Sequence, residues 1–343
     1  MSDITFNKLD PVFETMGLLF VSYNLDEVKK ETKEKLTEME FDGEQFYSQY
    51  FKTFDKYVQI FMKNRVECSE NAFFFSEQDP NYFLILLSLI IENSSWLTSL
   101  DGVTAGQIKA QIIHICNTIF DDDTDSNGVD TLEDIILYLD KTGLQSNAKW
   151  KMLQVMQYPQ KYIKKLIEII NSNLNAYDRA VKDIVNPLEK LLNQYSVMAA
   201  NNGDKRFYEL KAKISQSSAV YPTLIFPLSQ MLFENSCYYG LLSEKVVNNW
   251  KSRKNSKELL LFKLKALSDS SKLEIISSLK ISPKYNLEIA QQLGLTAATM
   301  SHHMNVLLNC RFIGVEKKNG KVYYHLEKEN LKALIKELEA TLL

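Results

Sequence analysis

Two adjacent histidines, His302 and His303, are the first candidates for chemistry in this sequence of 343 residues. They lie in the segment LTAATMSHHMNVLLNC, residues 295–310, which has the pattern of a short helix. Two histidines of one helix bind the same metal ion when they are four residues apart, whereas neighbouring residues point about 100° apart. The pair is therefore not expected to share a metal ion.

An acidic segment, DTDSNGVDTLED at residues 123–134, is the second candidate. Residues 123–128 match the first half of a calcium-binding EF-hand loop. The match then fails, because Asp130 stands where an apolar residue is usual and Asp134 replaces the closing glutamate. Thr131, three residues before Asp134, also fits a helix capping box. We expect the capping box, and calcium binding is the less favoured alternative.

The sequence lacks the short motifs of common enzyme classes. It has no G-x-G-x-x-G, P-loop, G-x-S-x-G or H-E-x-x-H motif, and His114 is the only histidine in residues 1–250. The widely spaced cysteines are typical of buried thiols in a reducing compartment. They are Cys68, Cys116, Cys237 and Cys310. We expect no catalytic residue, cofactor or metal, although an enzyme that uses carboxylates remains an alternative.

The composition indicates a folded, mainly helical protein. Apolar residues make up 45% of the chain, and its 11 glycines are about half of the usual share of roughly 7%. The longest apolar run, residues 82–91, is too short to cross a bilayer, and the acidic start MSDITFNKLD lacks the basic region of a signal peptide. The length fits two domains, and we expect a cytoplasmic protein without membrane contact.

Residues 1–250 are predicted to form a large helical domain. Aromatic residues three and four apart at 46–61 are expected in its core, with a ligand pocket as the alternative. Pro187 is expected to kink or split the helix predicted at 160–200. Residues 219–241 are aromatic and β-branched and contain two prolines, which predicts a short hairpin, or two strands flanking a helix at 228–234, at a sheet edge.

Charge is unequally distributed along the chain, whose net charge is -3. Residues 251–343 carry 16 Lys and Arg against 9 Asp and Glu, whereas residues 1–250 carry 24 against 34. The asymmetry indicates that the C-terminal part contacts a polyanion, with a solvated basic face as the alternative. The basic stretch 251–257 marks the predicted domain boundary. The first domain is expected to receive an unknown small molecule or protein.

The elements predicted after residue 257 begin with two amphipathic helices, LFKLKALS and SSKLEIISSL. Asn286 is expected to cap the two-turn helix LEIAQQL, which Gly294 ends, and Thr296 to cap the following helix. Two short helices joined by a tight turn form a helix-turn-helix. The dipeptide NG at 319–320 predicts a two-residue hairpin, and a helix at 329–342 closes the chain.

Residues 258–343 resemble the ArsR-type winged-helix repressors. The resemblance is carried by ALSDSSKLEIISSL, NLEIAQQLGLTAATMSHHMNVL and VEKKNGKVYYHL, which include the Ser-x-His of Ser301 and His303. Two departures are Ser270, where the family has proline, and NCRFI, where it has an alanine-glycine turn. The resemblance covers about a quarter of the chain. It implies a winged helix-turn-helix that binds double-stranded DNA as a homodimer.

A helical wheel divides the second helix of the motif into two faces. Met300, Met304, Leu307 and, at the edge, His303 are expected to pack on the preceding helices, although His303 could instead reach a phosphate. The other face would enter the major groove, where Asn305 suits a bidentate contact with adenine. Lysines at the hairpin tip suit phosphate or minor-groove contact. The residues predicted to contact DNA are Thr296, Ala298, Thr299, Ser301, His302, His303, Asn305, Lys317, Lys318 and Lys321.

Metal sensors of this family use cysteines in the first helix of the motif, or acidic and histidine residues in the last helix. Here NLEIAQQL has neither Cys nor His, and ENLKALIKELEATLL has no His, so metal sensing is not expected. The last helix carries one apolar stripe that resembles the family's dimerisation surface, although an intramolecular core is the alternative. The stripe consists of Leu331, Leu334, Ile335, Leu338 and Leu342.

These features predict a mainly α protein with a large N-terminal helical domain, a small hairpin near 219–241, and a winged helix-turn-helix at 251–343. The predicted function is sequence-specific regulation of transcription, controlled through the N-terminal domain. Repression is the commoner outcome in the family that the sequence resembles. The alternatives are a helical scaffold whose winged helix docks proteins, and an uncharacterised enzyme.

Overall fold

The chain folds into two compact units in a computed structural model. The structure describes residues 8–39, 41–77, 79–120, 128–200, 204–215, 217, 219–252, 257–295, 297–318 and 321–343. The first unit comprises Met1–Lys211 and Ser215–Glu244, and the second comprises Ala212–Ile214 and Lys245–Leu343. The fold is mainly α, as predicted. Within the described residues, no helix has the length and apolar character needed to span a membrane.

The first unit is built around helices, several of which begin at an aspartate cap. Asp10 caps α1, where its carboxylate accepts from Val12 N at 2.9 Å and from Phe13 N at 3.2 Å. The helices are α1 (Pro11–Glu38), α2 (Gly43–Tyr50), α3 (Lys52–Asn64), α4 (Asn71–Phe75), α5 (Pro80–Glu92), a short 3-10 helix (Ser94–Leu97), α6 (Ala105–Phe120), α7 (Leu132–Lys141), α8 (Ser146–Gln157), α9 (Pro159–Asp183), α10 (Val185–Ala200) and α11 (Lys205–Ile214).

The apolar periodicity of the sequence correctly located the core of this unit. Phe54, Tyr57 and Phe61 are buried, so the aromatic stripe is core, although it is divided between α2 and α3. The apolar helix α5 is buried along most of its length. The helix predicted at 160–200 is split at Ile184, and Pro187 lies in the first turn of α10, where a missing N–H costs least.

A three-stranded sheet contains the hairpin predicted near 219–241, which its second and third strands form. Its strands are β1 (Val220–Thr223), β2 (Gln230–Leu232) and β3 (Cys237–Gly240), in the order β1-β3-β2. β1 pairs with β3 in parallel, and β2 pairs with β3 antiparallel. β1, which contains Pro222, is an edge strand, as expected. The helix predicted at 228–234 is wrong, because residues 230–232 pair with β3 and the short segment gains more from this ladder than from one helical turn.

A buried carboxylate attaches the end of β1 to the helices. Glu14 on α1 accepts hydrogen bonds from Thr223 Oγ1 at 2.6 Å and from Tyr57 Oη at 3.0 Å. It also accepts from the backbone N–H groups of Leu224 at 3.1 Å and Ile225 at 3.2 Å. Burial raises the pKa of Glu14 to about 7 despite these four donors. One carboxyl group thus joins α1, α3 and β1.

Two aspartates bind β3 through hydrogen bonds in the same manner. Tyr238 Oη donates to Asp10 Oδ2 at 2.7 Å, and Tyr239 Oη donates to Asp204 Oδ2 at 3.0 Å. Because each aspartate also caps a helix, α1 or α11, each links the sheet to a helix start. The small sheet is therefore anchored to the helical body by carboxylates as well as by packing.

The second unit has the element order of a winged helix-turn-helix. Its elements are α12 (Ser243–Ser252), α13 (Lys257–Ser268), α14 (Ser270–Ile281), β4 (Lys284–Tyr285), α15 (Asn286–Leu293), α16 (Ala297–Asn309), β5 (Ile313–Lys318), β6 (Lys321–Leu326) and α17 (Lys328–Leu342). The sheet order is β4-β6-β5, with both pairings antiparallel. The division between the units falls after Glu244, within α12 and a few residues before the predicted boundary.

Candidate nucleic-acid interface

The turn between α15 and α16 is formed by a left-handed glycine. Gly294 has a φ of 65°, and Leu295 N donates to Ala290 O at 2.9 Å, which ends α15. The predicted cap at Asn286 is wrong, because Asn286 is the first helical residue and Tyr285 is the cap. Glu288 Oε2 accepts from Tyr285 N at 3.0 Å and closes this end of the helix. Thr296 lies outside the described residues.

The structure shows the predicted buried face of α16 and one exposed residue of the other face. Met300, Met304 and Leu307 are buried in the core of the second unit, and Asn305 is exposed. Ala298, Thr299, Ser301 and His302 occupy positions along the helix, but their side chains lie outside the described part of the structure. Asn305 is thus the one predicted base-reading side chain whose exposure the structure describes.

His303 lies on the packed side of α16 and is 9% exposed. It is close to Asp269, which caps α14 by accepting from Lys272 N at 3.0 Å and pairs with Lys272 Nζ at 3.1 Å. Burial by itself would raise the pKa of Asp269, but the hydrogen bonds from Lys272 and the charges of Lys272 and His303 hold it below its ordinary value. The burial of His303 favours the role of seating the helix over a contact with DNA.

The residue Arg311, which follows the C-terminal end of α16, has a strained backbone conformation. Arg311 has a φ of 60°, in the left-handed region that favours glycine. Arg311 N donates to Leu308 O and Phe312 N to Leu307 O, both at 3.0 Å, which is the hydrogen-bond pattern of a Schellman motif. The segment NCRFI, which departs from the alanine-glycine turn of the family, therefore forms a left-handed turn without a glycine.

The wing is the antiparallel pair β5 and β6. Their register runs from Ile313 opposite Leu326 to Lys318 opposite Lys321, the last pair before the tip of the hairpin. The side chains of Lys317, Lys318 and Lys321 and the predicted turn residues 319–320 lie outside the described residues. The strand positions place these three lysines at the tip of the wing, as the sequence predicted.

Strand β4 was missed by the sequence reasoning, since two residues carry no periodic signal. Lys284 pairs with Tyr324 and Tyr285 with Tyr323, so β4 extends the wing to a three-stranded sheet. The rings of Tyr285 and Tyr323 meet edge to face with centroids 5.9 Å apart. This strand connects the wing directly to the start of α15.

Comparison with known protein families agrees with this geometry. Residues 269–315 match the family model described as "Bacterial regulatory protein, arsR family". This segment is an ArsR-family helix-turn-helix domain. The match extends from the cap of α14 through α15 and α16 into β5. Comparisons with curated proteins and with solved structures gave no significant match.

The last helix of the second unit, α17, has an apolar stripe of which one part is buried and another is exposed. Leu334 is 1% exposed and lies in the domain's own core, against which Leu331 and Leu338 also pack. Ile335 is 56% exposed and Leu342 is 75% exposed. The expectation that Leu334 belongs to a dimerisation surface is therefore wrong, because the intramolecular core already buries it. Ile335 and Leu342 remain available to a partner.

The predicted capping box before α7 is confirmed. Thr131 Oγ1 accepts from Asp134 N at 3.2 Å, and Asp134 Oδ2 accepts from Thr131 N at 2.9 Å. The hydrogen bonds from Thr131 hold the pKa of Asp134 below its ordinary value. Residues 121–127, which include the first half of the calcium-like loop, lie outside the described residues. Within the rest, no cluster of three or more His, Cys, Asp or Glu residues with metal-binding geometry is present.

Proposed function

We propose that the chain is a sequence-specific regulator of transcription whose ArsR-family domain places α16 in the major groove of double-stranded DNA. The observation that carries this proposal is the division of α16 into a buried face and an exposed face bearing Asn305, within a segment that matches the family. An asparagine can donate to N7 and accept from N6 of one adenine at the same time, which distinguishes A·T from the other base pairs.

The wing supplies the second half of the proposed contact. Lys317, Lys318 and Lys321 lie at the tip of the hairpin of β5 and β6, and lysines at such positions neutralise phosphates without reading sequence. His303 has no part in the contact, because it is buried against the domain. The ArsR-family domain therefore reads bases through α16 and holds the backbone through the wing.

The finer parts of the proposal concern assembly and control. The protein acts as a cytoplasmic homodimer, in which exposed Ile335 and Leu342 of α17 contribute to the interface, and it represses transcription by occupying its operator. The first unit receives a small molecule or a protein. Such an effector changes DNA affinity only if it favours one arrangement of the two recognition helices over another. The proposal assigns no catalytic residue, cofactor or metal to the chain.

Binding of the full-length protein to duplexes from its own genomic neighbourhood tests the proposal. Asn305→Ala should weaken binding to the specific duplex about tenfold and leave binding to unrelated DNA nearly unchanged, because one bidentate contact with a base is lost. Asn175→Ala is the matched control, since Asn175 is an exposed residue of α9. Fluorescence anisotropy at several salt concentrations measures both affinities.

Two outcomes would contradict the proposal. One is the absence of salt-dependent binding to every neighbouring duplex. The other is an equal effect of Asn305→Ala and Asn175→Ala, which would show that Asn305 does not read a base.

A further inference from the structure

Lys284 is held inside the ArsR-family domain by polar groups of two helices. Its Nζ donates to Ser278 Oγ at 2.8 Å and to Gln292 Oε1 at 3.2 Å. Ser278, on α14, is 2% exposed, and its hydroxyl also donates to Gln292 Oε1 at 2.8 Å. The end of α15, strand β4 and α14 therefore meet at one hydrogen-bonded cluster.

This cluster determines which way the Gln292 amide faces. Lysine ammonium groups only donate, so the amide atom near Lys284 Nζ must be the oxygen. With two donors on Oε1, both of its acceptor sites are used, and the Nε2 group points away from Lys284 and Ser278. Gln292 is exposed, so its two N–H donors are presented on the surface of α15.

We infer that Gln292 donates from Nε2 to a phosphate of bound DNA, and that Lys284 and Ser278 are the positioning residues that orient its amide. This inference rests on the proposed DNA binding. In a helix-turn-helix the first helix, here α15, crosses the DNA backbone while the second enters the major groove. Glutamine amides are among the groups that commonly contact phosphate oxygens.

The inference assigns Lys284 a role that its charge alone would not suggest. A lysine beside the helix-turn-helix of a DNA-binding domain is ordinarily counted as a phosphate contact. Here its ammonium group is bound by Ser278 and Gln292, and its backbone pairs with Tyr324 of the wing. Lys284 thus links the wing to α14 and α15 and keeps the phosphate donor in place.

The Gln292→Glu variant tests whether Nε2 donates to a phosphate, and it keeps an acceptor for Lys284 and Ser278. The substitution keeps an oxygen for Lys284 and Ser278 but places a second, anionic oxygen where Nε2 faced the phosphate. We expect affinity for the specific duplex to fall about tenfold or more. Gln291→Glu makes the same charge change at the adjacent exposed residue and should weaken binding only about twofold. Equal losses for the two variants would overturn the phosphate contact.

Lys284→Met tests the positioning role. It should weaken DNA binding several-fold without changing the slope of log affinity against log salt, and it should lower the thermal stability of the free protein. Loss of a lysine that itself contacts a phosphate would instead reduce that slope by about one. Lys280→Met, on an exposed position of α14, is the control for stability. A reduced slope, or an unchanged stability, would overturn the assignment of Lys284.

The stability measurement separates this inference from the proposed function. If the wild-type protein binds no DNA, both the proposed function and the phosphate contact fail. A loss of stability in Lys284→Met but not in Lys280→Met would then still show that the hydrogen-bonded cluster stabilises the contact of α14, β4 and α15.

Discussion

Arg311 shows how one residue can keep a turn that its side chain disfavours. Its positive φ places Cβ close to the following carbonyl group, which costs roughly 1–2 kcal/mol for an L-residue. The Schellman hydrogen bonds and the buried Phe312 that follows hold it there. The turn geometry is therefore imposed by the packing of the domain and not by local preference.

Replacement of Arg311 by glycine should relieve this strain. Arg311→Gly should be about 1 kcal/mol more stable than Arg311→Ala, because alanine retains the steric conflict at positive φ while both variants remove the arginine side chain. Urea unfolding of the two variants measures the difference. Equal stabilities would show that the backbone at this residue is not strained.

Glu14 makes the stability of the first unit depend on pH. Its pKa is about 7 in the folded protein and has its ordinary value of 4.5 without burial, so the folded state holds the proton more tightly. The stabilisation from that proton is complete below pH 4.5 and is lost as the pH rises through 7. The loss amounts to at most about 3 kcal/mol.

Glu14→Gln should remove this part of the pH dependence. Between pH 5 and pH 8 the free energy of unfolding of the wild-type protein should decrease by more than that of the variant, because glutamine does not titrate. Glu34→Gln, at an exposed position on the same helix, should keep the wild-type profile. Urea denaturation at the two pH values gives the comparison, and parallel profiles for all three proteins would contradict the burial effect.

At the scale of elements, the apolar periodicity predicted which residues of a single helix are buried and which are exposed. The buried face of α16 and the exposure of Asn305 followed from 3.6-residue spacing over a helix of 13 residues. The C-terminal end of α15 followed from Gly294. These features depend on neighbours in sequence, which is why they could be predicted.

The elements that were missed depend on partners far away in the chain. β4 has two residues and exists because it pairs with β6, and β1 pairs in parallel with β3, 17 positions later in the register. The end of β1 is attached to α1 by a hydrogen bond between residues 209 positions apart, Thr223 and Glu14. No local pattern in the sequence reports such pairings, and the apolar stripe of α17 did not distinguish a dimerisation surface from the intramolecular core that buries Leu334.

At the scale of the whole molecule, the proposed DNA binding depends on how two copies of the chain assemble. A two-fold operator needs two copies of α16, and dimerisation supplies them with a fixed spacing. On α17 the residues left for this purpose are the exposed Ile335 and Leu342. Because Leu334 is buried and Leu331 and Leu338 pack against the core of the second unit, the proposed interface must include further surface beyond this helix.

A charge introduced at Ile335 should dissociate the proposed dimer. Ile335→Glu should shift the mass measured by light scattering toward that of a monomer and weaken operator binding at least tenfold, because a buried unpaired charge opposes association. Ala333→Glu places the same charge at another exposed position of α17 and should leave the dimer intact. A wild-type protein that is monomeric at all concentrations would contradict the dimer.

The lysines paired within the second unit have a consequence for how the protein finds its proposed operator. Lys263 pairs with Glu337 and Lys272 with Asp269, and Lys284 is held by Ser278 and Gln292. Fewer cations than the sequence count suggests can then release counterions from DNA, and such release supplies nearly all non-specific affinity. We expect short residence on unrelated DNA, so that the search proceeds by frequent dissociation and rebinding more than by long sliding along the duplex.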